Sequence, residues 1–524
     1  MSILKKLLLL TPLLLFLQCR KNNGTNWDVD LIFPVVNSQL NIKNFIGDSI
    51  FKTDNTGLLN LSVTRTITAI KLDSLIRLPD TTITNVFVTL FPIALSPGQQ
   101  FNTLPPSELN FNIGNGVALK KVDVRTGILT VKFSNTVAEP LDLKYVIQSA
   151  TKNGQPFTVL ETVPPGQNSL IKSYKLDGYS LNMRGLSGTV YNTIAQAYTV
   201  SLNANSNSVT ATAGQGAKIE LNYSKIVPDY VEGYFGQQTV ALKLDTVRLD
   251  LIKNFDANGF SLNSATFNFN ILNQFGAEFT GNLFNIKSIN NTTVVALTTA
   301  ALSNININRA SKIGSTIYQT VKSVSLTTAN SNIAPFLSNL PNKLSYQGSI
   351  IVNPLGNLSG FNDFAFYNTG LNVTADINIP MRFNANYFKL TSNTAVDFTN
   401  VKQLDRVNFG DFILSASNGY PFNAELQAYM LDENKQIIDS LFTPTSNIIV
   451  KGVTDAQNIV TLPTFTKLKV PFTKTKIENL RKTKSLKIIT YFRMPPNPPN
   501  IKIYENYSFD INIVAELNYN AKTG

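Results

Sequence analysis

Five groups of residues in this chain could do chemistry. Its one cysteine, Cys19, closes an apolar run and precedes two basic residues in LLLFLQCRKN (Leu13–Asn22). A thiol there suits thioether formation, and without a second cysteine no disulfide holds the fold. Glycoside hydrolysis needs two carboxylates about 5–10 Å apart. Asp245 with Asp250, and Asp405 with Asp411, lie in or beside strand patterns near Arg248 and Arg406, where surface ion pairing is the simpler reading. Asp28 and Asp30 form a D-x-D, but the glycine and terminal glutamate of a full calcium loop do not follow. DYVEGYFGQQ (Asp229–Gln238) sets Tyr230, Tyr234 and Phe235 among glycines, and FNDFAFYNTG (Phe361–Gly370) adds Tyr367. Exposed, these rings would make a platform for sugars, although aromatics in a β-rich chain more often fill cores. The fifth group is the basic segment Lys467–Lys487, where Lys467, Lys469, Lys474, Lys476, Arg481, Lys482, Lys484 and Lys487 stand against Glu478 alone. It reads either as a patch for anionic headgroups or an acidic partner, or as a solvated face.

Several chemistries are excluded outright. The chain has no histidine, which removes Ser-His-Asp and Cys-His nucleophilic sites and histidine-ligated zinc or iron. No glycine-rich loop precedes a helix to cradle phosphate. The expectation is a protein that is not an enzyme and carries no cofactor or metal. Net charge is +12, but no nucleic-acid-binding motif accompanies it.

The elements around these residues say more. MSILKKLLLLTPLLLFLQC opens with Lys5 and Lys6, followed by an apolar run of about 11 residues, the length of an export signal; a spanning helix needs about 20. The run ending at Cys19 resembles a bacterial lipoprotein signal. The resemblance implies cleavage after residue 18 and lipidation (palmitate among the acyl chains) at Cys19, with residues 19–27 as a tether. Acyl chains at about 0.8 kcal/mol per buried CH₂ give a stable anchor. RKNNGTN after the cysteine lacks the acidic cluster that surface-exported lipoproteins of Bacteroidota resemble one another in carrying. The expected location is therefore the outer membrane, on its periplasmic face.

Only 15% of residues are charged, asparagine is abundant, and period-two alternation recurs. In GILTVKFSN (Gly127–Asn135), Leu129, Val131 and Phe133 face one way. Phe267, Phe269 and Ile271 do so in ATFNFNILN (Ala265–Asn273), and Val373, Ala375, Ile377 and Ile379 in LNVTADINIPM (Leu371–Met381). One apolar and one polar face means antiparallel sheets packed on one side. Helical patterns are short: SNIAPFLSNL (Ser331–Leu340) and TKIENLRKT (Thr475–Thr483), the latter with Ile477 and Leu480 inward. Strand–turn–strand units recur at 127–147, 265–286 and 410–431, each with an asparagine closing the first strand: Asn135, Asn273 and Asn418, roughly 140 residues apart. Asparagine bonds its own main chain at turns. A fainter echo joins IKLDSLIRL (Ile70–Leu78) to LKLDTVRLDL (Leu242–Leu251).

These repeats resemble the immunoglobulin-like and LEA14-like β-sandwich units of large Bacteroidota lipoproteins, many of which have no assigned activity. The fold expected is all-β: about three tandem antiparallel β-sandwich domains with a few short helices, at 28–228, 229–393 and 394–524, with seams at VPDY (Val227–Tyr230) and KLTSNT (Lys389–Thr394). Trp27 is expected to pack at the base of the first. The expected function is a non-catalytic, lipid-anchored envelope protein serving as scaffold, accessory subunit or binding protein. The alternative is a glycan-binding adhesin or nutrient-capture lipoprotein, and the third option a two-carboxylate glycosidase.

Overall fold

The structure, a computed structural model, describes residues 26–42, 51–103, 105–166, 169–249, 256–396, 406–442, 447–471, 473–494 and 501–522. Cys19 and the residues before it lie outside these residues, as do Asp250, Asp405 and most of the proline-rich MPPNPPN (494–500). The chain is all-β with short helices. Three long strands come first: β1 (Asn26–Leu40), β2 (Leu59–Lys71) and β3 (Thr81–Val88). The helix α1 (Leu72–Leu75) follows β2.

The first sandwich adds β4 (Gln100–Thr103), β5 (Ser107–Asn110), β6 (Ala118–Asn135), β7 (Leu141–Lys152), β8 (Gln155–Val163), β9 (Ser169–Lys175), β10 (Thr193–Leu202) and β11 (Gly216–Tyr234). Its strands pair as β3–β11–β6–β9 and, facing them, as β4 and β5 on β10, then β7, then β8. Leu129, Val131 and Phe133 of β6 and Leu141, Leu143, Tyr145 and Ile147 of β7 are buried, as period-two alternation predicts. Tyr145 and Tyr223 join their hydroxyls across the two layers. β7 and β8 form a hairpin through Asn153-Gly154, both at positive φ (51° and 77°), the pair that a two-residue type I′ turn requires.

The second sandwich comprises β12 (Gln238–Arg248), β13 (Thr266–Asn273), β14 (Phe279–Asn290), β15 (Thr320–Leu326), helix α2 (Ile333–Ser338), β16 (Lys343–Val352), β17 (Asp363–Phe366) and β18 (Gly370–Pro380). Here β2–β18–β13–β15 faces β12–β16–β14. The third comprises β19 (Tyr387–Ala395), β20 (Val407–Asn418), β21 (Asn423–Leu431), β22 (Thr464–Pro471), helix α3 (Lys474–Lys482), β23 (Ser485–Arg493) and β24 (Phe509–Lys522). Here β1–β24–β20–β22 faces β19–β23–β21. By backbone packing the described residues of 62–250 and 264–378 form one compact unit and the remainder a second.

The three repeats share one set of hydrogen bonds. Asn135, Asn273 and Asn418 are each fully buried. Each accepts from the backbone N–H two residues on, at Val137 (2.8 Å), Phe275 (2.9 Å) and Tyr420 (2.9 Å). Each donates to the carbonyl four residues on, at Glu139 (2.9 Å), Ala277 (3.0 Å) and Phe422 (3.0 Å). The next residue's N–H reaches the start of the last strand, at Gly216, Gly370 or Ser508. A buried amide that satisfies both sides of a tight turn explains why asparagine marks all three.

Several boundaries differ from expectation. The seam at Val227–Tyr230 lies inside β11, where Pro228 sits among register shifts; the proline marks a bulge, which tolerates its missing N–H. The seam at Lys389–Thr394 lies inside β19. The sandwiches are not three consecutive stretches. β1 belongs with β24 and β2 with β18, so only β3 of the first three strands serves the first sandwich. Trp27 pairs with Ala521 and stays 53% exposed. The echo at 70–78 fails: that stretch turns into α1, whereas 242–248 is strand.

Candidate functional site

The aromatic stretches meet inside the unit that holds the first two sandwiches. β11 continues past its bulges, and Tyr230–Gly233 pairs with β17: Tyr230↔Phe366, Val231↔Ala365, Glu232↔Phe364 and Gly233↔Asp363. Two glycines permit this joint. A Cβ on Gly233 would lie 2.3 Å from the Ala118 carbonyl oxygen, and one on Gly276 would lie 2.2 Å from the Phe364 ring.

The four rings of the expected platform part company here. Phe235 is fully buried and Tyr230 nearly so, against Phe366 at 4.7 Å between centroids. Tyr234 is half-buried against Phe361 at 6.2 Å. Tyr367 is exposed, but the Arg125 guanidinium lies 4.1 Å over its ring. They form a joint and its margin rather than an open stacking surface.

Two carboxylates secure the joint. Glu232 pairs with Lys120 (2.7 Å) and Lys312 (3.1 Å) and accepts from the Tyr230 hydroxyl. Burial alone would push its carboxyl up. The hydrogen bonds from Lys120, Tyr230 and Lys312 outweigh that and bring it from 4.5 down to about 2. Burial, then the hydrogen bond to Glu232 and its charge, push the Tyr230 phenol well above its ordinary value. The Lys312 ammonium sits 4.5 Å from the Tyr230 ring centre and 5.2 Å from that of Phe364. Asp363, 1% exposed, receives the Phe235 N–H (3.0 Å), the Asn353 amide (2.7 Å) and the Arg309 guanidinium (3.0 Å). An open cleft of about 610 Å³ adjoins Glu232 and Lys120 on the first sandwich. Glu232, Asp363, Arg309 and Lys312 sit in no motif, and the only sequence signal near them is the aromatic clustering of 230–235 and 361–367.

The basic segment is divided among three elements. Lys467 and Lys469 lie on the exposed face of β22, and Lys469 pairs with Asp411 at 2.9 Å, which pushes its ammonium up. Lys476 of α3 is largely covered. It bonds Asp439 (3.5 Å) and the Ser440 carbonyl, and Asn479 donates to the same carboxylate (3.2 Å). Lys474 and Lys482 are exposed on the same helix; Arg481 is half-buried; Lys484 follows the helix and Lys487 lies on β23. Ile477 and Leu480 point inward as expected, and Thr473 caps α3 by accepting from Lys476 N–H.

Of the carboxylate pairs, Asp245 accepts from Thr246 N–H and Tyr346, and Asp411 holds Lys469. Asp28 and Asp30 accept from Asn520 and Asn518 across the ladder. Among the described residues no three acidic side chains gather as metal ligands.

No family model and no curated protein matches the chain. Among solved structures it is similar to a protein inferred to be secreted, from Parabacteroides distasonis ATCC 8503, at 7% identity, covering 95% of this chain and 100% of that one, with a TM-score of 0.27. It is also similar to a chain of infectious bursal disease virus, Gx strain, at 9% identity, covering 87% and 82%, with a TM-score of 0.13. At these scores neither likeness carries an argument about this chain.

Proposed function

We propose that the chain is a non-catalytic, lipid-anchored cell-envelope protein that serves as a scaffold, accessory subunit or binding protein. The observation that supports this best is the joint between the first two sandwiches. Its Glu232 carboxylate holds shape rather than moves protons: at about 2 it has no proton to give at neutral pH and little affinity for one. Backbone pairing of β11 with β17 makes one unit of two sandwiches. Such a unit presents loops and strand edges at set spacing, and an edge can take up a partner by strand addition.

The sequence around Cys19 supports anchoring at the outer membrane, facing the periplasm. Cys19→Ala is expected to abolish acyl labelling and release the protein from membranes; unchanged membrane retention would overturn the anchor. For the role, mild detergent extraction is expected to bring a stoichiometric protein partner with the chain. A chain that runs alone and turns over a chromogenic glycoside would overturn the non-catalytic reading.

A further inference from the structure

The three sandwiches differ at one corresponding place. In the second and third, the segment before β16 or β23 folds into a helix against the second strand of the repeated hairpin. Helix α2 buries Ile333, Ala334, Phe336 and Leu337, and α3 buries Ile477 and Leu480. In the first, the corresponding segment between β9 and β10 makes a short strand, Ser180–Asn182, and a loop. Gly178, Gly185 and Gly188 all take positive φ (77°, 63° and 70°), which no helix accommodates. The short strand pairs with β6 (Ser180↔Asp123, Asn182↔Lys121) and with β7 (Ser180↔Thr151). Where the other repeats seat a helix, the cleft of about 610 Å³ opens, a size that suits a small ligand.

The lining of the cleft is rich in hydrogen-bond donors. Three cations, Lys120, Lys121 and Arg184, line it with one carboxylate, Glu232, which is already held by Lys120 and Lys312, and a second carboxylate, Asp123, stands beside Lys121. Lys121 is 45% exposed and bonds Asp123 at 3.1 Å, which leaves its ammonium further N–H groups. The Arg184 guanidinium donates through one Nη to the Gly188 carbonyl, and its buried Nε has no acceptor. The Arg184 guanidinium lies 4.9 Å over Tyr191, and Tyr191 is stacked on Phe361 at 4.3 Å, so the arginine is oriented before any ligand arrives. Gln148, Ser180 and Asn182 add neutral amide and hydroxyl groups. The open trough is lined about equally by polar and apolar atoms, which matches the hydroxyls and C–H faces of a sugar chain. It fits a flexible, hydroxyl-rich chain that also carries negative charge.

We infer that this cleft binds an acidic oligosaccharide, with Lys121 and Arg184 receiving its carboxylates and Gln148, Ser180 and Asn182 its hydroxyls. This goes beyond the scaffold reading and depends on neither the anchor nor a protein partner. Titration calorimetry of the full chain with tetragalacturonic acid, and with cellotetraose as the neutral counterpart, tests it. The acidic chain is expected to saturate with a Kd below about 1 mM and to bind at least about tenfold more tightly than the neutral one. Lys121→Ala and Arg184→Ala should each weaken it about tenfold, the effect of one charge-assisted hydrogen bond. Gln148→Ala, at an exposed side chain, should weaken it severalfold without touching an ion pair. Lys467→Ala on the third sandwich should leave binding unchanged, and it and Gln148→Ala should melt with the parent. Absence of saturation, equal binding of cellotetraose, or unaltered affinity in folded Lys121→Ala and Gln148→Ala would overturn the inference.

Discussion

Replacing the buried asparagine of each repeat by alanine tests the central structural claim. At Asn135 the change strands the Val137 N–H and withdraws the donor shared by the carbonyls of Glu139, Val163 and Pro164. At Asn273 the Phe275 N–H loses its acceptor, and the carbonyls of Ala277 and Asn308 lose their donor. At Asn418 the Tyr420 N–H and the Phe422 carbonyl are affected. A buried donor left unmade costs about 1–3 kcal/mol, and the lost amide bonds add to it, so each variant should lose about 2–4 kcal/mol in its own sandwich. Asn135 and Asn273 should cost more than Asn418, because their amides also tie in a distant segment. Asparagine to aspartate is the sharper control. It keeps the acceptor for the N–H but aims an anionic oxygen at carbonyls, so it should be as damaging at neutral pH and milder once acid protonates it. A chain of several sandwiches need not unfold in one step, so amide exchange at Val137, Phe275 and Tyr420 is the proper readout. Exchange unchanged at those amides, or a loss under about 0.5 kcal/mol at all three sites, within the range of an ordinary surface substitution, would refute the claim that these residues hold the turns.

Two further outcomes follow from the charges. Folding lowers the Glu232 carboxyl from 4.5 to about 2, so its stabilising contribution is present above about pH 4.5 and fades as pH falls towards 2; melting of the parent and of Glu232→Gln should converge over that window, and parallel curves would contradict the ion-pair account. In the basic segment, Lys476→Ala should lower stability by about 1–2 kcal/mol through loss of its bonds to Asp439 and Ser440, whereas Lys474→Ala and Lys482→Ala should not; equal effects by denaturant titration would show that the helix treats all three alike.

What sequence could reveal here was set by how local each cause is. Alternation is local, and Leu129, Val131, Phe133, Phe267, Phe269, Ile271 and Val373 all went inward. The repeat was legible because one side chain, asparagine, closes its own turn within four residues. The domain borders were not, because strand pairing is carried by backbone groups that leave no mark on side-chain identity. Nothing in NWDVDLIF indicates that its partner lies near residue 517, and Pro228 looks alike at a seam and at a bulge. The rings at 230–235 and 361–367 signalled that something was built there. Whether rings face solvent or one another depends on β11 reaching β17, which only the folded chain displays.

The order in which strands are shared out has a consequence for folding. In chain order the partner of β3, β11, comes first, that of β2, β18, next, and that of β1, β24, last. Each sandwich is completed when its last strand arrives, and the strand waiting longest is the one nearest Cys19. Its ladder runs from Asn26↔Lys522 to Leu40↔Phe509, a contact of very high sequence separation, which is slow to form and leaves an apolar edge open meanwhile. Trp27 and Ile32, 53% and 65% exposed even in the finished fold, belong to that edge. If Cys19 carries lipid, the first strand of the last sandwich to close is also the strand adjoining the tether. Under the proposed anchor, a chain that fails to complete its third sandwich would stay tethered while its β1 edge is open to pairing with a foreign strand, so anchoring and folding would be separable steps.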